Sequence, residues 1–90
     1  MPRVCFTQNL RQHAACPEED VPGTTVRTVL EHYFARHPQV RGYVLDEHGR
    51  LRRHVVVFVG ADRVRDGEGL SEAVAEGAEI WVMQALSGGA

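Results

Sequence analysis

The chain has no lysine: all ten of its basic residues are arginine. GC-rich codon usage accounts for such a composition, but the chemical consequence holds whatever the cause. No side-chain amine can accept an acyl group, so polymers of the protein linked through its own lysines are excluded and only the α-amine is left. Cysteine is scarce as well, with Cys5 and Cys16 alone. Two thiols, with an opening Met1-Pro2-Arg3-Val4 that runs straight into a strand pattern, suggest neither a disulfide framework nor a targeting segment. A cytoplasmic location is the default expectation. No apolar run approaches the ~20 residues needed to span a bilayer, so no membrane partner is expected. A positive excess is also missing: the formal net charge is -2. Nucleic-acid binders usually carry a basic stripe, and none is expected as a partner. What remains is ordinary for one small globular domain: 90 residues, 43% hydrophobic and 24% charged, enough for a modest core.

The clearest pattern in the chain is helical. Val26, Val29, Leu30, Tyr33 and Phe34 recur at i, i+3, i+4, i+7 and i+8, one apolar stripe. Thr24 or Thr25 can cap its start by accepting a backbone N–H. His37 precedes Pro38 and is pushed out of helical geometry, so the spacing predicts a helix over about 25–36. Strands are predicted at Val4–Leu10, weakly between Ala15 and Val21, at Tyr43–Asp46, at Leu51–Val59 and at Glu79–Ala85. Turns fall at Asp46–Gly49, Gly60–Arg63 and Glu76–Gly77, with one helical turn expected at Ser71–Val74. One main helix packed on one face of a four- to five-stranded mixed sheet is an α+β layer fold.

Side chains alternate along a strand, which sorts the last two long strands into faces. The β-branched sets Val55, Val57, Val59 and Ile80, Val82 fit the face under the helix. Val56, Phe58, Trp81 and Met83 then project from the open face. Four sizeable apolar groups there, with Leu86 just beyond, read as a patch for a protein partner.

Residues 1–85 form the expected domain and residues 86–90, Leu86-Ser87-Gly88-Gly89-Ala90, a thin tail. Glycine lacks a side chain and can thread a channel too narrow for other residues. Five extended residues reach about 17 Å, enough to carry a carboxylate into another enzyme's active site. Such tails are often functionless ends; here it directly follows the last strand. The ordered series resembles the MoaD/ThiS family of ubiquitin-like, β-grasp sulfur carriers and small modifiers. The matching stretches are Pro22-Gly23-Thr24-Thr25-Val26-Arg27, Phe34-Ala35-Arg36-His37-Pro38, Val55-Val56-Val57-Phe58-Val59 and the run from Gly77 to Gly89. The resemblance implies a carrier that is itself no enzyme. A ubiquitin-activating-type enzyme, holding ATP and magnesium, would adenylate Gly89, with Gly88 as its thin neighbour. A sulfur donor such as a rhodanese or cysteine desulfurase would then supply a thiocarboxylate. In some relatives the activated glycine is joined to protein lysines instead. The chain departs from the family at Ala90, which locks the Gly89 carbonyl in an amide. A processing peptidase removes Ala90, or the activating enzyme accepts it, or the protein is no longer a carrier but a binding module with an inert tail; the first is the leading expectation.

Other chemistry is weakly signalled. His13, His32, His37, His48 and His54 match no metal-ligand spacing and read as solvated, so no metal site is expected. Cys5 reads as a small core residue, and Cys16 has no base placed beside it. Glu18-Glu19-Asp20 and Asp46-Glu47 read as solvated turns. Arg50, Arg52 and Arg53 read as a charged strand edge that discourages aggregation.

Overall fold

The computed structural model describes residues 1–7, 17–65, 67 and 69–84. The far end of the first predicted strand, His13, Cys16, Ala85 and the tail residues Leu86, Gly88, Gly89 and Ala90 lie outside the described residues. Among the described residues, five strands form one mixed sheet: β1 (Arg3–Phe6), β2 (Glu19–Asp20), β3 (Val55–Val59), β4 (Asp62–Arg63) and β5 (Glu79–Gln84), in the order β2-β1-β5-β3-β4. β1 lies parallel to β5 and antiparallel to β2, while β3 is antiparallel to both β5 and β4. Helix α1 (Val26–Arg36) is followed at once by helix α2 (Pro38–Val44). This is the expected α+β, β-grasp arrangement, with one more helix than the sequence suggested.

α1 forms where its stripe demands. Val26, Val29, Leu30, Tyr33 and Phe34 are all buried. Each of its first three N–H groups finds a partner, although helix starts leave these groups unpaired within the helix. Val26 N–H donates to Glu72 O at 3.0 Å and Arg27 N–H to Leu70 O at 2.9 Å. Thr28 N–H donates to Thr25 Oγ1 at 3.2 Å, and Thr25 N–H to Thr28 Oγ1 at 3.1 Å, a reciprocal cap. The same contacts explain why Ser71–Val74 is not the predicted helical turn. Its backbone is committed to α1: Ala73 bridges Thr25, and Val74 N–H donates to Thr24 O at 2.8 Å.

His37 ends α1 as predicted, with φ -133° and its N–H bonded to Tyr33 O. The strand predicted at Tyr43–Asp46 is not there. Pro38 opens α2 at its first turn, a position where the missing N–H costs nothing. Val40 and Val44, four residues apart, are fully buried on one side of α2. Of the predicted strand only Leu45 is paired, by an isolated bridge to Leu51. β3 also starts late, because Arg53 and His54 occupy a turn closed by Val55 N–H to Arg52 O at 3.0 Å.

The core lies between α1, α2 and one sheet face. Val4 and Phe6 from β1, Val55 and Val57 from β3, and Ile80 and Val82 from β5 meet the α1 stripe there, with Val59 partly buried against it. Phe6 and Tyr33 rings lie 5.1 Å apart, and Tyr33 Oη donates to Pro17 O at 2.7 Å, which satisfies the buried hydroxyl.

Candidate functional site

β5 is the central strand, flanked by β1 and β3. Its last residue, Gln84, pairs with Val55, the first residue of β3. On the other flank, Thr7 N–H donates to Val82 O at 3.1 Å, extending the β1 pairing towards the same end. The chain beyond Gln84 therefore starts from the middle of one sheet end. Arg53 and His54, both exposed, immediately precede Val55 beside that point. The N-terminus lies at the opposite end: Arg3 pairs with Glu79, and the Met1 α-amine forms an ion pair with Glu76.

The face of the sheet opposite the core carries the predicted apolar set in strict register. Phe58 lies directly across from Trp81, and Val56 directly across from Met83. Directly opposed side chains sit about 5 Å apart at Cβ and cover one another. All four are half-buried rather than freely projecting, because each is shielded by its cross-strand neighbour. The row continues outward on both sides: Arg63 of β4 pairs with Phe58, and Cys5 of β1 pairs with Trp81. Trp81 Nε1–H donates to Glu79 Oε1 at 3.3 Å, so the indole's polar edge is satisfied on the surface. Leu86, the fifth predicted member, lies outside the described residues. Among the described residues, the exposed large apolar ones are Met1 and Tyr43; Tyr43 was missed because it was read as part of a strand.

Cys5 is buried, as expected, but it belongs to the patch side of β1 and not to the helix-covered core. Burial pushes its thiol up to about 11, helped by the Glu18 and Glu79 carboxylates. A thiol held protonated is a poor nucleophile.

Several charged groups depart from the solvated reading. His37 is half-buried, stacks on Tyr33 with ring centroids 4.7 Å apart, and places Nε2 2.6 Å from Glu19 Oε1. Arg36 Nη1 lies 3.2 Å from Glu19 Oε2, so Glu19 ties β2 to the end of α1. Asp20 in β2 pairs with Arg3 at 3.3 Å. Asp46 Oδ1 accepts from His48 N–H at 2.8 Å and Arg50 N–H at 3.0 Å, ordering the turn. The arginines near position 52 are not a strand edge: Arg50 pairs with Asp46, and Arg52 Nε–H donates to Gly42 O at 2.6 Å. Among the described residues, no three metal-binding side chains converge.

A β-grasp sheet with a central last strand and an apolar open face is the architecture of ubiquitin-like carriers and modifiers. The sequence profile of the ThiS family matches residues 6–89. The chain belongs to the ThiS family, which groups ubiquitin-like sulfur carriers and small modifiers that are not, in general, enzymes themselves. Solved structures agree. CysO of Mycobacterium tuberculosis is 25% identical, with a TM-score of 0.79 over 96% of this chain and 100% of that one. SAMP1 of Haloferax volcanii is 25% identical, with a TM-score of 0.74 over 96% of each chain. A chain of the BexX/CysO complex of Amycolatopsis orientalis shares the fold at 24% identity, with a TM-score of 0.80 over 97% of this chain and 98% of that one. No curated protein sequence matches the chain. Among the described residues, no helix is long and apolar enough to cross a membrane.

Proposed function

We propose that the protein is a sulfur carrier whose working group is the carboxylate of Gly89 after removal of Ala90. The observation that carries this reading is the origin of the tail. It begins at the end of the central strand, in a chain whose family match runs through Gly89. A lead rooted there is held by a rigid sheet on both flanks, while its last residues are slim enough for a narrow channel. A ubiquitin-activating-type partner would bind the face of Val56, Phe58, Trp81 and Met83, with Leu86 at its margin. Its ATP and magnesium would convert the Gly89 carboxylate to an acyl adenylate with loss of pyrophosphate. The terminal sulfur of a persulfide on a rhodanese or cysteine desulfurase would displace AMP to form an acyl disulfide, and a second thiol would then reduce that S–S bond, leaving the thiocarboxylate and a disulfide between the two thiols. Ala90 has to be cleaved first, because the Gly89 carbonyl is otherwise held in a peptide bond and offers no carboxylate to attack ATP.

A second reading, covalent attachment of Gly89 to amines of other proteins, draws support from the likeness to SAMP1, named a small archaeal modifier protein.

Intact-mass analysis of the protein from its own cells tests the proposal. The expected species is the chain ending at Gly89 with one carboxylate oxygen exchanged for sulfur. Recovery of the unmodified 90-residue chain alone, while deletion of residues 88–90 leaves the cellular phenotype intact, would sink it in favour of a binding module.

A further inference from the structure

Charge around the open face of the sheet is unevenly spread. On the β1 and β2 side the rim is acidic, and its groups have partners: Asp20 meets Arg3, and Glu79 accepts from the Trp81 indole. On the β4 side lies an open cleft of about 350 Å³ lined by Arg63, Val64 and Arg65. Val64 is buried in the core, so the exposed Arg63 and Arg65 on either side of it are turned outward. Arg63 pairs with Phe58 and stands on the same face, at the edge of the apolar patch. Asp62 lies opposite Val59 and so belongs to the other face.

The backbone of this edge adds donors. Val64 N–H donates to Val57 O at 2.8 Å, towards β3. Successive N–H groups of a strand alternate in direction, so those of Arg63 and Arg65 point away from the sheet. The Arg65 N–H shows which chemistry this edge accepts: it donates to a carboxylate, Glu72 Oε2, at 3.2 Å. The outward N–H of Arg63 lies on the same edge. Among the described residues, neither the Arg63 nor the Arg65 guanidinium is in an ion pair, whereas those of Arg3, Arg27, Arg36 and Arg50 are. A backbone N–H and two guanidinium forks along one cleft are the donors that a carboxylate takes, with two parallel bonds available from each fork.

We propose that this cleft is a carboxylate site: a protein partner seated on the Val56, Phe58, Trp81 and Met83 face places an aspartate or glutamate there, which accepts from the Arg63 N–H and from the Arg63 and Arg65 guanidinium groups. The inference rests on the reading of that face as a docking surface and adds the chemistry of the partner's rim. The partner is apolar where it meets Phe58 and acidic where it meets β4. Glu79, across the face beside Trp81, repels the same acidic group, which sets the orientation of docking.

The test needs no activating enzyme. The full chain, labelled with nitrogen-15, is titrated with a capped peptide of one leucine followed by three glutamates, at constant ionic strength and about pH 6, where glutamate is ionised. The Arg63 amide and the Arg63 and Arg65 Nε–H resonances are expected to move along one saturating curve, with the Trp81 indole N–H following the leucine. The peptide with glutamines in place of glutamates should bind at least about fivefold more weakly. Arg63→Gln and Arg65→Gln should each weaken the glutamate peptide by about threefold to fivefold. Arg65 lies beyond the end of β4, so its variant serves should the Arg63 variant fold poorly. Absence of saturation, equal binding of the two peptides, or unchanged affinity in both folded variants would overturn the proposal. So would inorganic phosphate moving the same resonances as far at equal ionic strength, which would make the cleft a general anion site. Binding seen only in an Asp66→Asn, Glu68→Gln double variant would assign the cleft to the chain's own carboxylates and overturn it too. Failure of adenylation in cells would remove the carrier reading and leave these titrations unchanged.

Discussion

Gly23 shows how tightly the turn before α1 is drawn. Its φ is +148°, and a Cβ there would lie 2.6 Å from Val29 Cγ2 and 2.8 Å from Val29 N. Backbone cannot yield as a flexible side-chain tip can. Gly23→Ala is expected to destabilise the fold by about 2–3 kcal/mol. Gly60 has φ +59° with open space around it, and Gly60→Ala should cost only about 1 kcal/mol. Urea melts of the two variants check the contrast; equal midpoints would contradict it. Cys5 gives a second residue-scale prediction. With its thiol raised from 9.0 to about 11 by burial and then by Glu18 and Glu79, alkylation in a Cys16→Ser background should stay slow at neutral pH. The stability linked to the protonated thiol is complete below the unfolded value of 9.0 and is lost as pH rises through about 11. Alkylation as fast as in the unfolded chain would refute both statements.

At the scale of elements, α1 owes its start to partners on both sides of the sequence. Thr25 satisfies Thr28 N–H, while residues 70 and 72 satisfy Arg27 and Val26. Thr25→Ala should cost about 1 kcal/mol, read as a lowered denaturation midpoint. It leaves the Leu70 and Glu72 carbonyl contacts in place, so the helix should persist by circular dichroism. The α1 stripe was legible because burial and period agree there. α2 was not. Tyr43-Val44-Leu45 is β-prone, and local preference yields to packing when a short segment can bury a face. The overlooked signals were Pro38 in the first helical position and the Val40, Val44 spacing. Asp46 was visible as a turn residue, but its role depends on two backbone N–H groups. Arg50 N–H, then desolvation opposing it and His48 N–H, leave its carboxyl below the usual range. The turn's stabilisation is therefore present above the unfolded carboxylate value and fades as pH falls through the lowered one.

At the scale of the whole molecule, the sheet sorts chemistry by end and by face. One end holds the α-amine pair with Glu76, and the other holds the root of the tail. One face is the core, and the other presents the Phe58–Trp81 and Val56–Met83 pairs. On the proposed reading, Trp81→Ala should weaken binding of a ubiquitin-activating-type enzyme by roughly tenfold or more, as removal of an aromatic anchor does. Its unfolding midpoint should move little compared with Gly23→Ala. Unchanged affinity by calorimetry would remove this face from the interface. Arg53→Glu, beside the tail root, separates a charge effect from an apolar one by its dependence on salt.

The sequence by itself determined the α1 stripe, the two-faced pattern of β3 and β5, the absence of acceptor lysines and the Gly-Gly tail. These depend on residue type and spacing, which are local. Only the tertiary structure decided that β5 is central, that Cys5 lies on the patch side, that Glu19 joins Arg36 and His37, and that residues 70–74 cap a helix far from them in the chain. Those facts depend on which distant segments meet. Pairing between segments is set by the burial of the whole sheet, which no local pattern encodes.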